Sequence, residues 1–177
     1  GIVRAPTLDL ANRDLVESHL QAVWLANAHI ALDVSIAPML DLDQPGKPLI
    51  KSYQDALNDP AATQRAQASA ARVIAQLQQE LAGSDWFSAD YVQKVIERAP
   101  QAFSDALERW RVLFDATRTQ MNMADQIVKS HTASHSERQN AQRRYGDAAR
   151  QYAVLLKTGN SQNNDFYTYR YLASQGF

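Results

Sequence analysis

Between positions 103 and 128, Phe103, Leu107, Trp110, Phe114, Thr117, Met121, Ala124 and Val128 follow one another in unbroken alternating steps of four and three. A mean step of 3.5 residues is the heptad rule of a helical seam, and it excludes a strand, whose side chains repeat every second residue. At about 1.5 Å per residue the seam is roughly 38 Å long. So long a stripe has to be covered by another helix, and the chain supplies one: Ala141, Tyr145, Ala148, Tyr152 and Leu155 keep the same steps. Between the two lies His131-Thr-Ala-Ser134, and Ser134 with Glu137 has the spacing of a capping box. Two long helices joined by so short a loop fold back on each other, so an antiparallel hairpin of about 100–130 and 135–158 is expected.

The rest of the chain reads as shorter helices. Residues 1–11 are extended by their proline and β-branched content, and Asn12 offers an N-cap oxygen. A helix then runs to about Ala28 with Leu15, Val16, Leu20, Val23, Trp24 and Leu25 on one face. Pro38, Pro45, Gly46 and Pro48 leave room only for short helices at 36–42 and 49–57. Asp59-Pro60 is a carboxylate cap followed by proline at the first helical position, and the helix it opens is expected to reach Ala82 and close at Gly83. Its buried stripe is read as Val73, Ile74, Leu77 and Leu81. Trp86 and Phe87 fall in a turn, Ser88 caps a helix with Tyr91, Val92, Val95 and Ile96 inward, and Pro100 is expected to end it and open the hairpin. Gly146, inside the second hairpin helix, costs about 1 kcal/mol relative to alanine and suggests a close approach or a bend. Residues 160–177 form a polar linker and an aromatic tail. The fold class is therefore all-α, an irregular bundle of five to seven helices around one long hairpin. A chain of 177 residues is the length of one domain, able to bury roughly 70% of its unfolded surface in one core.

Several chemistries are excluded. The chain has no cysteine, which removes disulfides, thiolate metal sites, iron–sulfur clusters and cysteine nucleophiles. Hydrophobic residues at 45% and charged residues at 21% match ordinary globular domains rather than disordered chains. No apolar run approaches the roughly 18 residues of a membrane span, so no membrane partner is expected and a cytoplasmic location is. The only Gly-Lys pair, Gly46-Lys47, is followed by Pro48 and preceded by Asp41 where a phosphate loop needs glycine. Six scattered glycines leave no dinucleotide fingerprint. His131 and His135 are four apart but fall in a loop and beside a cap, without the His-Glu-x-x-His pattern of a zinc site. His19 is a core-edge histidine. Asp41, Asp43, Asp85 and Asp90 are turn and cap residues, and no serine has the glycine elbow of a nucleophile. The expectation is no enzyme, no catalytic residue, no metal and no cofactor in this stretch.

What remains is binding. Residues 1–100 carry a net charge of −4 and residues 101–177 a net charge of +3. On the second hairpin helix Arg138, Arg143, Arg144 and Arg150 lie off the seam, whereas Trp110, Tyr145 and Tyr152 lie on it and are read as core. In the tail, Tyr167, Tyr169, Arg170 and Tyr171 alternate aromatic and cationic groups outside the bundle. Aromatics for base stacking with cations for phosphates hold single strands without sequence preference. The nucleic-acid candidates are therefore those four arginines and those four tail residues.

The opening Arg4-Ala-Pro-Thr-Leu-Asp-Leu-Ala-Asn-Arg-Asp-Leu-Val-Glu-Ser-His-Leu-Gln-Ala-Val-Trp-Leu-Ala26 and the closing Asp165-Phe-Tyr-Thr-Tyr-Arg-Tyr-Leu-Ala-Ser-Gln-Gly-Phe177 resemble segments of large bacterial superfamily 2 helicases of the DEAD/DEAH type. The group includes the helicase of the DISARM phage-defence system and relatives with a C-terminal domain of unknown function. The middle matches in helical character, with an Ala-Pro-x-x-Phe…Arg-Trp-Arg stretch at 99–111. The resemblance implies a position after the second motor domain, so that the chain is a fragment with more protein after Phe177 and its parent an ATP-dependent helicase. It also implies DNA or RNA and the parent's motor domains as partners. No motor motif is present, so no ATPase residue carries over. The second reading is a protein-interaction or spacer module that docks a partner through the hairpin, and an exposed apolar stripe on the hairpin would favour it.

Overall fold

The structure, a computed structural model, describes residues 13–30, 35–81 and 83–158. The extended entry segment, the Asn12 cap, Gly159 and the aromatic tail lie outside the described residues. Among the described residues five helices follow in order: α1 (Arg13–Asn27), α2 (Lys51–Leu57), α3 (Pro60–Leu81), α4 (Ala89–Lys129) and α5 (His135–Thr158), with a 3₁₀ turn at Ala37–Met39. The fold is all-α, as the periodicity requires. Where the length suggested one core, the described residues cluster in two compact units, with the division inside α4 between Phe103 and Ser104.

The first unit holds α1, α2, α3 and the start of α4. Val16, Leu20, Trp24 and Leu25 of α1 are buried with Val92, Ile96, Ala99 and Phe103 of α4. Trp24 meets Phe103 edge to face at 6.1 Å. Against them α3 buries Ala62, Ala66, Ala70, Leu77 and Leu81, while Val73 and Ile74 are only half-buried. The stripe of α3 is thus largely alanine, and small residues let backbones approach closely. Asn27 Nδ2 reaches Ser69 Oγ at 3.3 Å and Arg65 Nη2 donates to the Asn27 carbonyl at 2.8 Å, tying α3 to the end of α1.

That end closes without glycine. Ile30 N–H donates to the Leu25 carbonyl and His29 N–H to that of Ala26, the paired bonds of a Schellman motif, with His29 at φ 59° in the left-handed position. Ile30 and Leu25 are both buried, the apolar contact that accompanies the motif. The cap at Asp59 forms as expected, Ala61 N–H donating to its carboxylate at 3.0 Å, and Ser88 Oγ accepts from Tyr91 N–H at 3.0 Å. Gly83 takes no positive φ; Ser84 N–H donates to the Leu81 carbonyl at 2.9 Å instead. The two short helices expected around the prolines shrink to the 3₁₀ turn and α2.

Pro100 does not end a helix. It lies inside α4, which runs unbroken for 41 residues. The reason is that Val92, Ile96, Ala99, Phe103, Leu107 and Trp110 are all buried, at three- and four-residue steps that keep one helical face inward on both sides of the proline. Proline removes one N–H and crowds the preceding turn at a cost of about 3 kcal/mol, but a continuous apolar stripe on both sides holds the helix together.

The second unit comprises Ser35–Pro48 and the chain from Ser104 through α5. Trp110 Nε1 donates to the Leu155 carbonyl at 3.2 Å, and Phe114 packs on Tyr152 at 5.4 Å. Those two contacts fix an antiparallel register, in which Thr117 meets Ala148 and Ala124 meets Ala141; all four are buried. Thr117 satisfies its hydroxyl on the Phe114 carbonyl at 2.9 Å. Tyr145, expected in the seam, is 40% exposed, while its seam neighbours Ala141 and Ala148 are buried. The capping box forms, Glu137 N–H donating to Ser134 Oγ at 3.1 Å and Ser134 N–H to the Glu137 carboxylate at 3.4 Å. The loop before α2 is clamped on α4: Arg111 Nε donates to the Lys47 carbonyl at 2.9 Å and Lys47 Nζ pairs with Asp115 at 2.7 Å.

Candidate functional site

The four α5 arginines do not make one surface. Arg138, at the loop, donates from Nε and Nη2 to the Ser130 carbonyl at 3.2 and 2.8 Å, capping the end of α4. Arg143 and Arg150 lie seven residues apart, almost opposite the seam, and so share the solvent face. Arg143 donates to Asn140 Oδ1 at 2.8 Å and Arg150 pairs with Asp147. Arg144 is exposed on a flank of the helix. Tyr167, Tyr169, Arg170 and Tyr171 lie outside the described residues. His131 and His135 are exposed, and among the described residues no group of three or more His, Cys, Asp or Glu could hold a metal ion. No described helix is long and apolar enough to cross a membrane.

The outer face of α4 is apolar as well as the inner one. Val112, Leu113 and Met123 are exposed at 59%, 52% and 60%. Val112, Ala116, Thr119 and Met123 again step by four and three, and no charged residue occurs from Thr119 to Ala124. This is a second seam with no partner among the described residues.

A different constellation stands in the first unit. Tyr91 OH donates to the Arg13 carbonyl at 3.5 Å and Trp24 meets Phe103, so α1 and the start of α4 run side by side in the same direction. Arg13, Glu17 and Gln21 form one edge of the groove between them; Tyr91, Lys94, Val95, Arg98 and Ala102 form the other. Trp86 and Ser88, in the turn before α4, close one end. The cavity measures about 340 Å³. Trp86 meets Tyr91 at 5.2 Å and Phe87 at 5.8 Å, both nearly perpendicular, and the Arg13 guanidinium sits over the Tyr91 ring at 5.3 Å. Burial pushes the Tyr91 phenol above its ordinary pKa, the Glu17 carboxylate adds to the rise, and Arg13 opposes it. Tyr91 is therefore a neutral hydrogen-bonding ring at physiological pH.

Three cations, Arg13, Lys94 and Arg98, face two carboxylates, Glu17 and Asp90. Asp90 is engaged with Lys94 at 2.9 Å, one turn apart on α4. Arg98, two turns from Tyr91, is exposed and makes no ion pair among the described residues. None of these residues was singled out from the sequence as a binding group, although Tyr91, Lys94, Arg98 and Ala102 are spaced on one helical face. What the sequence could not give was the opposing edge, Arg13 and Glu17, some 80 positions away. No family model matches the chain, and neither a curated protein nor a solved structure does.

Proposed function

We propose that this chain is a non-catalytic helical module that helps a nucleic-acid-dependent motor hold its DNA or RNA. The observation that carries the reading is the α1–α4 groove, where Trp86 and Tyr91 stand beside Arg13, Lys94 and Arg98. Stacking surfaces next to phosphate-binding cations are the means by which strands are held without sequence preference. The resemblance of the two end segments to superfamily 2 helicases supports the same reading and makes the parent chain an ATP-dependent helicase. Arg143, Arg144 and Arg150 are additional exposed cations for the same partner. Fluorescence anisotropy with labelled single strands tests this: three phosphate contacts give a log–log salt slope of about −2. No detectable binding at low salt refutes it.

A second reading is favoured by the outer stripe of α4. Val112, Ala116, Thr119 and Met123 offer heptad spacing to an amphipathic helix of a partner protein, for example the parent's motor region. Val112→Glu with Met123→Glu would abolish association with that region while leaving strand affinity unchanged; loss of strand affinity instead counts against separate surfaces.

A further inference from the structure

We propose, resting on the nucleic-acid reading, that the α1–α4 groove accepts a single strand only, with one unpaired base against Trp86 and the following phosphates at Lys94 and Arg98. The groove is polar in the sense that matters for a nucleotide: its rings are at one end and its unengaged cation is at the other. Trp86 and Tyr91 stand at the start of α4, and Arg98 lies seven residues further on, about 10 Å along the axis. Neither Phe87 nor Tyr91 stacks flat on the Trp86 indole, since both interplanar angles are above 70°. The half-buried indole thus has no flat stacking partner among these rings, and a planar base would supply one. Tyr91 is less available because the Arg13 guanidinium already covers its ring.

The charges order the rest. Asp90 sits beside Trp86 at the aromatic end and repels a phosphate there, while holding Lys94 at 2.9 Å. Arg98 is two turns away from that carboxylate and exposed. A strand thus lies with its base at the Asp90 end and its backbone towards Arg98. The cavity of about 340 Å³ is at the small end of ligand pockets, room for an unpaired base and its sugar. A duplex keeps its bases stacked inside, and flipping one out costs a few kcal/mol. Val95, buried in the floor, provides apolar contact for the sugar and base edge.

Intrinsic fluorescence reads this site directly. Trp24 and Trp110 are 1% and 3% exposed, so Trp86, half-buried, is the indole that a bound base can quench. The probes are an oligodeoxyadenylate of about ten nucleotides, its duplex with the complementary strand, and inorganic phosphate, all at low salt. The single strand should quench the emission, the duplex should bind at least about tenfold more weakly, and phosphate alone should not quench. Arg98→Glu, on an exposed side chain, should weaken the single strand about tenfold or more with the far-UV circular dichroism unchanged. Trp86→Phe should remove the quenching while anisotropy still detects the strand. Equal affinity for duplex and single strand overturns the inference and leaves the nucleic-acid reading standing. Binding without quenching, or undiminished by Arg98→Glu, overturns it too by placing the strand elsewhere. Failure of every oligonucleotide to bind defeats the functional reading itself.

Discussion

Replacing Trp110 by phenylalanine isolates the contact that registers the hairpin. Leu155 lies in the last turn of α5. The Leu155 carbonyl is served by Trp110 Nε1 at 3.2 Å, and both residues are 3% exposed. Phenylalanine keeps the ring that stacks on Phe114 at 5.0 Å but has no donor. The indole bond is then lost, at about 0.5–1.5 kcal/mol, and lost ring volume adds under about 1 kcal/mol. A destabilisation of about 1–2 kcal/mol should lower Tm by roughly 2–8 °C in a chain of this size. Urea unfolding followed by circular dichroism measures it, with Trp86→Phe as the half-exposed control, expected within about 0.5 kcal/mol of the parent. If Trp110→Phe also falls within that margin, the indole bond does not hold the hairpin and the reasoning fails.

Pro100→Ala should stabilise by about 2 kcal/mol, the interior proline penalty less the entropy proline removes from the unfolded chain; a lower urea midpoint would show that the proline is accommodated without cost. Gly146→Ala should add about 1 kcal/mol, because a Cβ there meets only Arg150 Nη1 at an ordinary 3.6 Å; this glycine marks no close approach, and a destabilised variant would contradict that. Ser134→Ala removes the acceptor of the Glu137 N–H and should cost about 1 kcal/mol in the same assay. His19 is buried and its pKa lies below the ordinary 6.5 because burial disfavours the imidazolium. Above about pH 6.5 it is neutral folded and unfolded, so its contribution is complete; below that the unfolded chain takes up a proton the folded one refuses, and stability falls. His19→Gln should flatten the difference between urea midpoints at about pH 7.5 and 5.5, and an unchanged difference would assign the pH dependence to other groups.

The legible parts of the fold are those set by local spacing. The hairpin seam, the Asp59, Ser88 and Ser134 caps and the end of α1 could be read because each rests on residues within a turn or two of one another. Pro100 reads as a stop in isolation, but buried residues at helical steps on both sides of it carry α4 through. Leu77 and Leu81 of the α3 stripe are buried as their spacing suggests, but Ala62, Ala66 and Ala70 escape a reading of sequence because alanine is read as helix-forming before it is read as core. His29 closes α1 in a conformation usually left to glycine, a choice that only the backbone reveals. The arginines of α5 looked equivalent in sequence, yet Arg138 is committed to the Ser130 carbonyl and Arg150 to Asp147.

By itself, the sequence determined that the chain is helical, where its longest pair of helices turns, and that these 177 residues offer no cysteine chemistry, because heptad steps, capping residues and cysteines are local and countable. Only the tertiary structure decided which distant aromatic and charged side chains share one groove. Arg13 and Tyr91 are 78 positions apart and become neighbours because α1 and α4 bury Trp24 and Phe103 against each other. The same packing that hides those two rings leaves Trp86, Lys94 and Arg98 along the rim of one groove. Burial is a property of pairs of elements, and no single stretch of sequence contains it.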